Sequence, residues 1–190
     1  MPNNTLILLR HAEVKVEEYV AISKWRLTKK GQKRATNLFN LDFFQNVDII
    51  ITSGEEKAFQ TAYSLSEKLH KKIIRDENLD EISRDQGKYF KTKDEYLNTM
   101  KLCVENRTQS FNTWETANHA LERFSKTILD IDSKYMNKKI LIVSHGGVIN
   151  LYFANILKQF DKIFERFLSN SFLDYGIIQD SKIIKDIARI

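Results

Sequence analysis

The sequence predicts a three-layer α/β/α sandwich around a mostly parallel central sheet. Three short apolar runs carry most of that expectation: Thr5–Arg10 (TLILLR), Val47–Thr52 (VDIIIT) and Lys139–Ser144 (KILIVS). They are rich in Ile, Leu and Val and keep no strict polar/apolar alternation, the pattern of strands covered on both faces. Amphipathic helical periodicity lies between and after them, and strands alternating with helices build parallel sheets. No proline-rich, glycine-rich or highly charged linker divides the chain, so residues 1–190 are expected to form one domain.

Each element has its own signal. After the first strand, Thr28 is placed to cap a helix whose Ala35, Leu38 and Phe39 share a face. The segment Glu55–Leu69 puts Ala58, Ala62, Leu65 and Leu69 four, three and four residues apart, and Trp114–Tyr135 carries the clearest apolar stripe. Phe160, Ile163, Phe164, Phe167 and Leu168 mark another helix. Phe172–Ile178 and Lys182–Ile187 read as closing strands with a turn near Asp180–Ser181. The stretch Gly87–Asn112, with Tyr89, Phe90, Tyr96 and Leu97, reads as a helical excursion placed to cap a cleft.

Composition narrows the function classes. A chain of 190 residues with 42% hydrophobic and 29% charged content can bury a core and is not disordered in type. The single cysteine, Cys103, forbids an internal disulfide and points to a reducing compartment. No run approaches the ~20 apolar residues of a membrane helix, so a cytoplasmic protein with no membrane partner is expected. Thirty Lys+Arg against 25 Asp+Glu give a net charge of +5, with the lysines in small groups separated by acids. That distribution suits a solvated surface or a small anionic substrate better than nucleic acid, for which no recognition motif or aromatic-interleaved basic stripe is present.

Ligands of open α/β sheets gather at the carboxyl ends of the strands. There the sequence places Arg10-His11-Ala12-Glu13, Thr52-Ser53-Gly54 followed by Lys57, and Ser144-His145-Gly146-Gly147. Each alone is ordinary: a surface turn, a solvated helix lysine, a tight strand-to-helix corner. Together they gather two of the four histidines, a guanidinium and an ammonium at one sheet edge. So much positive potential calls for an anion, most simply phosphate, with backbone N–H groups after Gly54 and Gly147 facing it.

The arrangement resembles the histidine phosphatase superfamily, the phosphoglycerate mutase-like proteins, over most of the chain and in the family's order. Leu9-Arg10-His11-Ala12-Glu13 is similar to its Arg-His-Gly-Glu motif, and Leu27-Thr28 with Gly31 to its Leu-Thr-x-x-Gly helix start. Ser53 with Lys57-Ala58-x-Gln60-Thr61-Ala62 resembles its Ser-x-x-x-Arg-Ala-x-Gln-Thr-Ala segment, and Leu79-Asp80-Glu81 its Leu-x-Glu. Glu115-Thr116 with Arg123 echoes a Glu-Ser…Arg helix, and Ser144-His145-Gly146 matches the second histidine motif. Three departures stand out: Ala12 for glycine, Glu17 where many members have a phosphate-binding asparagine, and Lys57 for the second arginine. Lysine keeps the charge and loses the planar two-donor fork.

The resemblance implies a phosphoglycerate mutase-like fold and a metal-independent phosphatase working through phosphohistidine on His11. Arg10, Lys57 and a protonated His145 would hold the phosphoryl oxygens, and His145 counts among the catalytic residues with His11 and Glu81. Glu81 would be the general acid/base, sheltered by Leu79 and Ile82. No cofactor is expected, and no HxxxH pair, carboxylate cluster or Cys/His spacing offers a metal site. The substrate would be a small phosphomonoester or a phosphorylated protein side chain. Trp25 and Arg26 are candidates to line its entrance and Arg84 to reach a second anionic group, although core packing and surface solvation account for these three more readily. Two alternatives remain open: mutase-type phosphoryl transfer, and a phosphate-binding or regulatory module impaired through Lys57 and Glu17.

Overall fold

A computed structural model describes residues 3–84 and 90–190. The order is β1 (Thr5–Arg10), α1 (Lys29–Leu38), α2 (Asp42–Gln45), β2 (Ile49–Ser53), α3 (Glu56–Leu69) and β3 (Ile73–Asp76). It continues with α4 (Lys93–Glu105), α5 (Ala117–Lys134), β4 (Lys139–Ser144), α6 (Gly146–Leu157), α7 (Ile163–Ser169), β5 (Tyr175–Gln179) and β6 (Lys182–Lys185). Short 3-10 turns at Ile22–Lys24, Glu77–Leu79 and Phe160–Lys162 join some of them.

The six strands form one sheet in the order β3-β2-β4-β1-β5-β6. The β3–β2–β4–β1 portion is parallel, and β5 and β6 add antiparallel on the β1 side. Neighbouring residues of the central strands serve opposite faces. Leu6, Leu8, Ile140 and Ile142 join the core under α4–α7, while Ile7, Leu9, Leu141 and Val143 join the core under α1 and α3. Burial on both faces is why these runs show no alternation.

The expected sandwich is the observed one, with local corrections. The second strand starts two residues later than its apolar run, because Val47 and Asp48 form the approach to it. The edge strand β3 escaped notice because IIRD is short and half exposed, with Ile74 turned to solvent. The last strands are shorter than expected, and their turn falls at Asp180–Ser181. Both residues have positive φ, 49° and 61°, as a two-residue hairpin loop requires. Thr28 accepts a hydrogen bond from the Gly31 amide, capping α1 as its position predicts. In the 87–112 excursion, α4 opens with a capping box at Thr92 and Glu95; Gly87 and Tyr89 lie outside the described residues. Among the described residues no helix is long and apolar enough to cross a membrane.

Topology alone aligns the two histidine motifs. In the parallel β1–β4 pair Arg10 is in register with Ser144, and the His11 amide donates to the Ser144 carbonyl at 2.9 Å. His11 and His145 therefore leave adjacent strands at the same height.

Candidate active site

The two imidazoles lie with ring centroids 5.1 Å apart, tilted by 60°. Nδ1 of His11 is 2.8 Å from the Ala12 carbonyl. A carbonyl only accepts, so Nδ1 carries the proton and the Nε2 lone pair is free. Burial first, then the neighbouring His145, Lys57 and Arg10, hold the His11 pKa well below its ordinary value, so the ring is neutral near pH 7. Ala12, in place of glycine, is buried without strain, and its amide donates to Thr61 Oγ1 at 3.0 Å.

Arg10 leaves β1 toward the other side of the same pocket. Its Nη1 donates to the Asn170 carbonyl at 2.6 Å and to Asn170 Oδ1 at 3.2 Å, while its buried Nε has no partner. The guanidinium lies 4.7 Å from the Phe172 ring centroid. Gly146 permits this approach, since a Cβ there would sit 3.1 Å from the guanidinium carbon.

Lys57 is only 2% exposed, in the first turn of α3, where the helix dipole disfavours a cation. It is held there by Glu55: Lys57 Nζ forms an ion pair with Glu55 Oε2 and donates to the Ile22 carbonyl at 2.8 Å. An ammonium has three donors, so one remains for a ligand. Glu55 also accepts the Glu81 amide at 3.0 Å and lies 3.4 Å from His145 Nε2. Burial would raise its carboxyl, but the charge and hydrogen bond of Lys57, the Glu81 amide and Arg84 outweigh that and hold it below the usual range.

Glu81 departs from expectation in an instructive way. The backbone N–H groups anticipated for a bound anion are taken by the protein's own carboxylates. Gly147 N donates to Glu81 Oε2 at 2.9 Å, and Val148 N and Ile82 N donate to Oε1 at 3.0 Å. At α3, the Gly54 amide donates to Asp80 Oδ1 at 2.6 Å. A helix N-terminus favours any negative charge, and two adjacent acidic residues of the loop, Asp80 and Glu81, reach one each. Gly147 is required here because a Cβ would fall on the Glu81 carboxylate. Leu79 and Ile82, fully buried, flank the acid as expected.

Arg123 fixes the loop that carries Glu81. Its Nη1 donates to the carbonyls of Asn78 and Asp80 at 2.8 and 2.9 Å, and its Nη2 to that of Glu81 at 2.8 Å. Its Nε and Nη2 grip Glu115 at 2.8 and 2.7 Å, and Glu115 in turn accepts the Ser83 amide at 3.0 Å. Arg123→Ala would leave three carbonyls and a mostly buried carboxylate without their donor. We expect a stability loss of about 2–3 kcal/mol by urea unfolding, together with a fall in kcat that exceeds the change in KM.

His145 is fully buried, with Nε2 2.8 Å from Ser53 Oγ and Nδ1 without a partner. Burial, then Lys57, Arg84, Arg123 and Arg10, push its pKa well below the ordinary value, so it is neutral in the unliganded site rather than protonated. Glu55, Asp80 and His145 bring ligand-type atoms within 4.8 Å of one another, a carboxylate cluster invisible in the sequence. With the Lys57 ammonium bonded into it and Asp80 engaged by Gly54, the cluster is an ion-pair network rather than a vacant cation cage.

A cavity of about 430 Å³ opens above these groups. Arg10, His11, Lys57 and Glu81 line it, and His145 lies beneath, against His11. Trp25 lines the wall as anticipated, whereas Arg26 is exposed and does not reach it. Glu17 turns away and pairs with Lys15 at 3.1 Å, so it does not oppose an anion. Arg84 lines the cavity, its Nη1 on the Tyr96 hydroxyl at 3.0 Å and its buried Nε unpartnered. Sequence reasoning missed Glu55 and Asn170. A carboxylate two residues before a lysine that stands in for arginine was the available signal for Glu55; Asn170 had none.

The model of the histidine phosphatase superfamily (branch 1) matches residues 6–172. The chain belongs to the histidine phosphatase superfamily. It is a phosphoric monoester hydrolase of the histidine phosphatase type. A Hydrogenobacter thermophilus protein provisionally named phosphoserine phosphatase 2 is 30% identical over 156 residues, 76% of this chain and 74% of that protein. Among solved structures, Bacillus stearothermophilus YhfR superposes with TM-score 0.75 at 21% identity, covering 96% of this chain and 95% of that one. An Entamoeba histolytica phosphoserine phosphatase mutant in complex with phosphoserine gives 0.72 at 20%, covering 96% and 94%. These two likenesses bear out the phosphoglycerate mutase-like fold.

Proposed function

We propose that this phosphatase hydrolyses a small phosphomonoester through a phosphohistidine intermediate on His11, without a metal ion. The observation that carries the reading is the His11 ring itself: neutral, fixed by Ala12 through Nδ1, and presenting Nε2 to a cavity that Arg10, Lys57 and Glu81 share. In the first step the Nε2 lone pair attacks phosphorus and the bond to the leaving oxygen breaks. Arg10, Lys57 and the unpartnered His145 Nδ1 take the equatorial oxygens. Glu81 Oε2, which accepts a single amide, carries the proton to the leaving oxygen. In the second step water attacks phosphorus, its proton passes to Glu81, and the P–N bond returns its electron pair to the imidazole. Arg10 and Lys57 supply the charge stabilisation, with Nδ1 of His145 as a further donor.

The aromatic and aliphatic walls, Val14, Ile22, Trp25, Phe90 and Tyr96, suit a substrate with an apolar face, and Arg84 offers a second anion contact. Relatives named for phosphoserine support a small substrate over a phosphorylated protein side chain. The test is p-nitrophenyl phosphate hydrolysis with and without EDTA. Turnover unchanged by EDTA is the expected result; turnover abolished by EDTA and restored by a divalent cation would overturn the reading.

A further inference from the structure

We propose that Glu55 is the counter-charge of the site: it positions Lys57 and allows His145 to take up a proton when a phosphoryl dianion enters. This rests on the phosphatase reading above and adds a group to it. Glu55 is buried and spends both oxygens inside the site, Oε2 on Lys57 and Oε1 on the Glu81 amide with His145 Nε2 3.4 Å away. One carboxylate therefore touches the three elements that supply a cation, the acid and the second histidine.

A buried carboxylate beside a phosphate site repels the substrate unless its charge is used. Here the surroundings of His145 show the use. Arg10 comes from β1 with His11 after it, Ser53 ends β2, and Lys57 lies in α3. Asp80, Glu81 and Arg84 come from the loop after β3, and Arg123 comes from α5. Burial first, and then the four cations, keep the ring neutral. A dianion bound at Nδ1 reverses that balance on one side, and Glu55 is already in place on the other. The imidazolium then donates Nδ1–H to a phosphoryl oxygen and Nε2–H to Ser53 Oγ, with Glu55 behind it. Without Glu55 the ring would have to charge against Lys57, Arg84, Arg123 and Arg10 with the ligand as its sole counter-ion. Asp80, pushed up to about 6 by burial and by Glu55, is the other group that could receive the proton, and the test separates the two.

The probe is sulfate, which stays a dianion near pH 7 and brings no proton of its own. Calorimetric titration in buffers of different ionisation enthalpy counts protons taken up on binding. The wild type is expected to take up about one proton per sulfate and Glu55→Gln close to none, with sulfate affinity falling at least about tenfold. In the wild-type complex, ring ¹⁵N shifts should report His145 as imidazolium, a measurement that stands even if the variant does not fold. Equal proton uptake by wild type and Glu55→Gln, or a neutral His145 in the complex with the proton on Asp80, overturns the proposal. Monoester turnover without linked uptake defeats this inference alone; absence of both turnover and sulfate binding defeats the phosphatase reading with it.

Discussion

His11→Ala lowers kcat/KM for every monoester by at least about a thousandfold, because the first bond to phosphorus cannot form. The fold should survive the change. His11 is neutral, and its one ring hydrogen bond goes to the adjacent Ala12 carbonyl, so alanine removes no long-range contact beyond packing on Phe172 and His145. Circular dichroism and urea midpoint close to wild type, with sulfate still bound, would accompany the loss. Residual activity within tenfold of wild type would mean that water attacks the substrate directly and that His11 only holds phosphate.

The second large effect is Glu81→Gln, and its size depends on the substrate. A general acid contributes roughly 10²–10⁴ in rate where the leaving oxygen needs a proton. Alkyl phosphates should therefore lose about that much kcat. p-Nitrophenyl phosphate, whose phenolate departs unprotonated, should lose much less in the step that forms phosphohistidine. The substitution also has a structural cost: the carboxamide presents a donor where Gly147, Val148 and Ile82 all donate, leaving one amide unpaired at about 1–3 kcal/mol. Glu81→Asp, which restores the charge on a shorter stem, separates that cost from chemistry. Equal losses for alkyl and aryl esters would deny Glu81 the role of acid.

The strand ends and their chemistry were legible because they are local. TLILLR followed by His11 and KILIVS followed by His145 announce buried parallel strands, and parallel neighbours in register must bring those two residues together. Arg10, Lys57 and Glu81 follow from position within motifs, and all three line the cavity. What stayed hidden is long-range. Asn170 meets Arg10 across 160 residues, and Arg123 reaches back over more than 40 to hold the Glu81 loop, with no periodicity to reveal either. The helix N-termini were expected to face a bound phosphate, whereas their amides hold Glu81 and Asp80, whose reach depends on the loop's course rather than on spacing. The lysine at position 57 looked like a weakened arginine. Its reason is visible only in three dimensions, where Glu55 binds the ammonium inside the protein.

The central claim is a covalent bond between phosphorus and His11, and it can be observed directly. Enzyme mixed with ³²P-labelled monoester, quenched in alkali within milliseconds and digested, should yield a phosphopeptide that is alkali-stable, acid-labile and mapped to His11. The label should appear at the rate of turnover or faster and be absent in His11→Ala. Turnover with no labelled protein at any quench time, or label on a residue other than His11, would contradict the account.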